Sequence, residues 1–237
     1  MNQLRTIASR LDRRALVAVF GSLALMAVYV YQGDHEFFDA AVAPGLELGA
    51  WAEWASHAWQ FAAAALFMGL LPLVWWFTAE GRPLADLGLC LGDWRFGAKA
   101  TLVLMAVLPP LLWVNAGTPA FQAEYPLAKL AGASWGHFLG WQLCYAVYYF
   151  AWEFFFRGFW QLGQRHRVGL MGALVMQASI STLLHIGKPQ GETMAAVAAA
   201  LGFGLLALRT RSFLYVFLLH WYVGALTDLF CILRCSG

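Results

Sequence analysis

Apolar residues gather into seven long runs, at about 15–31, 58–78, 98–116, 135–156, 168–187, 193–208 and 212–233, with shorter polar segments between them. A helix needs about 20 mostly apolar residues to cross the hydrocarbon core of a bilayer. The pattern therefore predicts an all-α, polytopic membrane protein, a bundle of about seven transmembrane helices. The first and sixth runs are the shortest. Pro109-Pro110 removes two backbone donors inside the third run and predicts a kink there. Among the connections, 79–97 carries Gly81, Pro83, Gly88 and Gly92 and reads as a loop or a shallow re-entrant piece. The polar segment 32–57 holds Trp51 and Trp54, which suit the headgroup level.

Composition narrows the class further. Of 237 residues, 61% are apolar and 12% charged, with 12 Trp, 18 Phe and 8 Tyr. Soluble domains run at roughly 45–50% apolar and about 25% charged. A water-soluble fold of this length cannot hide so much apolar surface. This excludes a soluble enzyme and a disordered chain, and long apolar runs argue against a β-barrel. A net charge of +2 implies no nucleic-acid partner; the lipid bilayer is the expected surrounding.

Charge also orients the layout. Twelve of the 15 Lys and Arg fall on one side, beginning with Arg5, Arg10, Arg13 and Arg14, and only Lys129, Lys188 and Arg234 fall on the other. Segment 32–57 has five acidic residues and no Lys or Arg. The positive-inside rule then places the N-terminus in the cytoplasm. The first run, behind its basic cluster, reads as an uncleaved signal anchor. Cys90, Cys144, Cys231 and Cys235 form no metal or redox spacing and read as small apolar fillers.

Five ionisable residues fall inside the apolar runs: Glu153 and Arg157 in the fourth, His185 in the fifth, His220 and Asp228 in the seventh. Each costs about 2.5–3.5 kcal/mol in lipid, so such groups must face the bundle interior and one another. Glu153 and Arg157 are four apart, share a helix face and can pair. At 1.5 Å per residue, Glu153, His185, His220 and Asp228 all fall ~12–25 Å into their spans, a band that one buried polar cavity can include. Such a set suits water activation by a carboxylate with histidine assistance. It also suits a zinc site built from Glu153, His185 and His220, or a proton or ion path. Periodicity leaves all three open.

At these residues the chain resembles the CPBP family of intramembrane proteases, the CAAX protease and bacteriocin-processing group. The family carries Glu-Glu-x-x-x-Arg, Phe-x-x-x-His and His-x-x-x-Asn/Asp. The chain has Trp152-Glu153-Phe-Phe-Phe-Arg157-Gly158, then Ser181-Thr-Leu-Leu-His185, then His220-Trp-Tyr-Val-Gly224. Trp152, Ser181 and Gly224 replace the first Glu, the Phe and the Asn. The resemblance covers roughly 80–235, which divides the chain into an N-terminal part, 1–79, and a protease core, 80–237. It implies an intramembrane endopeptidase of a bacterial inner membrane, acting on a membrane-anchored protein or peptide at a C-terminal sorting tail or a leader. It further implies catalysis by Glu153, Arg157, His185 and His220 with a Glu-activated water and no cofactor, zinc being the alternative. Asp228 is expected to stand in for the missing Asn across the room left by Gly224. Lys188 and Glu192 are expected to gate substrate. A non-catalytic membrane scaffold and a small transporter are the competing readings.

Overall fold

The computed structural model describes residues 12–235; Arg5 and Arg10, on which the anchor reading leans, lie outside the described residues. The described chain is helical throughout, and its one β feature is an isolated bridge between Ile186 and Lys188. Helix α1 is Arg13–Gln32, started by Asp12, whose carboxylate accepts from the backbone N–H of Arg14 at 2.9 Å and Ala15 at 3.1 Å. Helix α2 is Gly49–Glu80, with π-helical stretches at Ala65–Leu70 and Trp76–Glu80. Helices α3, Trp94–Val107, and α4, Pro109–Ala116, meet at a 40° bend, the kink that the double proline predicts. Helix α5, Trp135–Glu153, runs on as a π-helix over Phe154–Gly163. Helices α6, Leu170–Leu183, α7, Gln190–Thr210, and α8, Leu214–Cys235, complete the order.

All seven apolar runs are helical, but a count of seven spans is not confirmed. Helices α1, α2, α7 and α8 are long and apolar enough to cross a membrane, and the bent α3–α4 pair makes up to five. The other two depart for physical reasons. Helix α6 has 14 residues, ~21 Å of rise, short of a hydrocarbon core of about 30 Å. Helix α5 is diluted by the polar and aromatic residues of its buried face, Gln142, Tyr145, Tyr149 and Glu153 among them. All ten residues of its π-helical extension are buried.

That extension is the centre of the molecule. Phe154, Phe155, Phe156, Phe159 and Trp160 pack with Met68 and Trp76 of α2 and with Phe213 ahead of α8. Segment 81–93 tucks beneath this centre, with Leu87 fully buried. Gly158 makes the fit possible, since a Cβ there would stand 3.0 Å from the Leu87 carbonyl oxygen. The same segment is tied to the α7–α8 turn: Asp93 N–H donates to Thr210 O at 2.9 Å, and Tyr215 Oη donates to Leu91 O at 2.7 Å. The buried amides of Gln161 and Gln177 donate to Gly204 O at 2.9 Å and Ala200 O at 3.1 Å, fastening α7 to the core.

Candidate active site

Glu153 is the last residue of α5, where the α-helix widens into the π-helix; π segments recur at functional sites. Its carboxylate is fully buried. Oε1 lies 2.6 Å from Nδ1 of His220 on α8 and accepts from Arg157 Nη1 at 3.3 Å, while Oε2 stands 3.2 Å from the same Nη1. The Arg157 guanidinium also lies 5.6 Å from the Phe203 ring on α7. One carboxylate is thus held by a cation on its own helix and an imidazole from another. Neither ion could remain here without its partner.

His220 is the member of this group that meets open space. A cavity of about 330 Å³ is lined by His220, His185, Tyr149 and Trp152, and also by Lys188, Glu192 and Tyr125. Glu153 does not line it: the carboxylate sits behind His220, whose side chain is 19% exposed. His185 follows the end of α6, with Nδ1 donating to Ser181 O at 2.7 Å. Trp152, at the position of the missing Glu, sets its ring edge-on to His185 at 5.6 Å. The cavity therefore brings His185 and His220 to one space, with Glu153 and Arg157 directly behind.

The remaining sequence candidates stand apart from the Glu153–His220 contact. Lys188 pairs with Glu124 at 2.6 Å, and Glu192 accepts from Tyr125 Oη at 2.7 and 2.9 Å, so both stand in polar pairs in the cavity wall. Asp228 does not line the cavity. Its Oδ2 accepts from Trp141 Nε1 at 3.1 Å and Gln142 Nε2 at 2.9 Å, both on α5. The room at Gly224 is taken by Tyr149, whose Cε2 and Cζ lie 2.7 Å from where a Cβ would stand. The expectation that Asp228 crosses this gap is corrected by that ring, which fills the gap first.

Among the described residues no three His, Cys, Asp or Glu side chains gather as a metal-holding set. Within the trio of Glu153, His185 and His220, Glu153 Oε1 and His220 Nδ1 face each other and His185 Nδ1 is turned to a backbone carbonyl, which leaves Nε2 of each histidine outside these contacts.

Residues 124–226 match the family model described as Rce1-like, type II CAAX prenyl endopeptidase Rce1-like. That model belongs to the CPBP family. The likeness is confined to this segment, 103 of the 237 residues. No curated protein and no solved structure gives a significant match. The matched model describes an endopeptidase family, and the apolar helices are those expected of an integral membrane protein. The match begins well after residue 80. It contains Glu153, Arg157, His185, Lys188, Glu192 and His220 and stops two residues short of Asp228.

The matched segment does not enclose the cavity by itself. Tyr29 and Val30 of α1, Asp34 after it, and Gln60 and Phe61 of α2 also line it. Their positions in the first two runs, outside the motifs, gave no chemical signal. Tyr149 was legible in principle: it lies four residues before Glu153 and so shares its helix face.

Proposed function

We propose that the chain is an intramembrane endopeptidase that hydrolyses a peptide bond in a membrane-anchored protein. The observation that carries this reading is the 2.6 Å contact between Glu153 Oε1 and His220 Nδ1, with the carboxylate sealed and the imidazole on the cavity. A carboxylate behind a histidine fixes the tautomer and stabilises the imidazolium that forms. With Nδ1 so occupied, Nε2 is the nitrogen that exchanges a proton with water. Water attacks the scissile carbonyl as its proton passes to His220, and the basicity of Glu153 acts through that ring. The imidazolium then returns the proton to the leaving amine. Arg157 keeps Glu153 in place and His185 holds the water from the other wall. This refines the expected Glu-activated water, because burial leaves Glu153 no direct route to the cavity.

The substrate is a tail or leader that reaches the cavity through the membrane, with Lys188 and Glu192 where it enters. The N-terminus lies in the cytoplasm of a bacterial cell, as the distribution of Lys and Arg supports. The reading uses no metal.

Glu153→Gln tests it, since the amide keeps the shape and removes the basicity. Processing is expected to fall by at least ~10²-fold in a protein that still inserts, measured as protein termini appearing in host membranes that express the full chain. Chelator treatment is expected to leave the wild-type rate unchanged. Full processing by inserted Glu153→Gln protein favours the scaffold reading, and loss of activity on chelation with recovery on added zinc favours the metal mechanism.

A further inference from the structure

The reaction proposed above places negative charge on the carbonyl oxygen at the moment of attack, and that charge needs a donor. Among the groups on the cavity, His220 is committed to the water proton in this reading. Asp228 is behind the wall, with Trp141 and Gln142. Trp152 has its indole N–H buried away from the cavity. Tyr149 is placed differently. Its ring lies against His220, with centroids 4.5 Å apart. Its hydroxyl end fills the space beside Gly224, one helical turn and ~6 Å of rise beyond His220. It lines the same cavity as both histidines. Tyr145 and Tyr148 hold the ring from the other side, at 4.8 and 5.5 Å between centroids. Gly224 is thus what admits the phenol, and any side chain at 224 would expel it.

We infer that Tyr149 is a catalytic residue of this enzyme, its phenolic O–H donating the hydrogen bond that holds the oxyanion of the tetrahedral intermediate. The inference rests on the endopeptidase reading. In the step, a water oxygen bonds to the carbonyl carbon, the C=O π pair moves to oxygen, and the water proton goes to His220 Nε2. Tyr149 keeps its proton throughout and contributes only the hydrogen bond. On collapse, the C–N bond breaks and the nitrogen takes the proton from His220. A phenol suits an apolar cavity because it donates strongly while neutral, and a rigid ring positions the donor before the charge arrives. The phenol takes the place of a side chain on α8 by reaching across from α5.

The test uses the full chain in two stages. Termini that appear in host membranes with wild-type protein, and not with Glu153→Gln, define the cut site. A quenched fluorescent peptide spanning that site is then the probe for purified wild-type and Tyr149→Phe protein. The expected result is a kcat lower by on the order of 10²–10³-fold, the size of one oxyanion donor, with KM and the unfolding midpoint unchanged. A wild-type kcat in Tyr149→Phe, or a loss confined to KM or to stability, overturns the role of Tyr149 and leaves the endopeptidase reading standing. Termini that are the same with Glu153→Gln as with wild type, or no new termini at all, overturn both.

Discussion

Glu153–Arg157 and Asp93–Arg209 are both carboxylate–guanidinium pairs in one small protein, and they have opposite surroundings. The first lies at the centre, with side chains 0% and 3% exposed. The second joins the start of α3 to the end of α7 at 2.7 Å, with side chains 40% and 56% exposed. Lys188–Glu124, at 2.6 Å and about one-third exposed on each side, falls between. Separation hardly distinguishes them, and the shortest contacts are the exposed ones. What differs is what each ion meets when its partner is removed. Water replaces a lost partner at the surface, and nothing replaces it inside. A chain that keeps an ion pair where it is most expensive has a use for it, and here the carboxylate of that pair also holds a cavity histidine.

The comparison is broken most severely at the centre. Arg157→Met keeps much of the bulk and leaves Glu153 buried beside one imidazole. The expected loss is about 3–5 kcal/mol of stability, the usual result of orphaning a buried ion. Denaturant or SDS titration of the purified protein measures it. Arg157→Met combined with Glu153→Gln is expected to recover much of the stability and none of the activity. If the single variant is as stable as wild type, the pair is not sealed from water and the contrast with the outer pairs fails.

An intermediate effect is expected at Lys188. Lys188→Met removes a half-exposed pair and is expected to change stability by at most about 1 kcal/mol. Its larger effect is on substrate entry, because Lys188, Glu192 and Tyr125 line the cavity together. The peptide probe is therefore expected to show a raised KM with kcat nearly unchanged. The reverse pattern, a fall in kcat at constant KM, moves Lys188 from the entrance to the chemistry.

How much of this was legible differs between scaffold and site. Apolar runs mark helices well, because burial in lipid or in protein demands the same side chains. For that reason they mark spans poorly: α5 and α6 read as spans, yet one carries a buried polar and aromatic face and the other is only 14 residues long. The double-proline bend was legible because its cause is local. That Glu153 and His220 meet was legible, because ions in apolar runs must face the interior and one another. Their order was not. Which of the two faces the cavity depends on packing between α5 and α8, and helical depth says nothing of it. Tyr149 was hidden by its type, one aromatic among many in the fourth run, and Gly224 was read as room for the wrong neighbour. The walls from α1 and α2 were hidden because no ionisable group in the apolar part of those helices marks them.

The smallest effect is expected at the exposed pair, and it has a defined pH dependence. Asp93 accepts from Arg209 Nη1 at 2.7 Å and from the backbone N–H of Phe96 at 3.2 Å, where it caps the start of α3. These two contacts, the guanidinium first, hold its carboxyl below the ordinary carboxylate range. A lowered pKa stabilises the folded state above the unfolded value of about 3.9, and the gain disappears as pH falls through the lowered folded value. Between pH 5 and 8 the pair is therefore fully present and contributes no slope. Asp93→Asn keeps the cap and loses the charge, so its melting curve should nearly overlay wild type at pH 7. The difference that exists there should shrink below about pH 4, as the unfolded chain takes up its proton, and vanish once the pH has passed the lowered folded value. Turnover of the peptide probe should not change, because the site lies on the other side of the α5 core. A variant that instead loses activity at pH 7 would tie the tucked 81–93 segment to catalysis, and the contrast between an inner pair that works and an outer pair that only fastens would have to be abandoned.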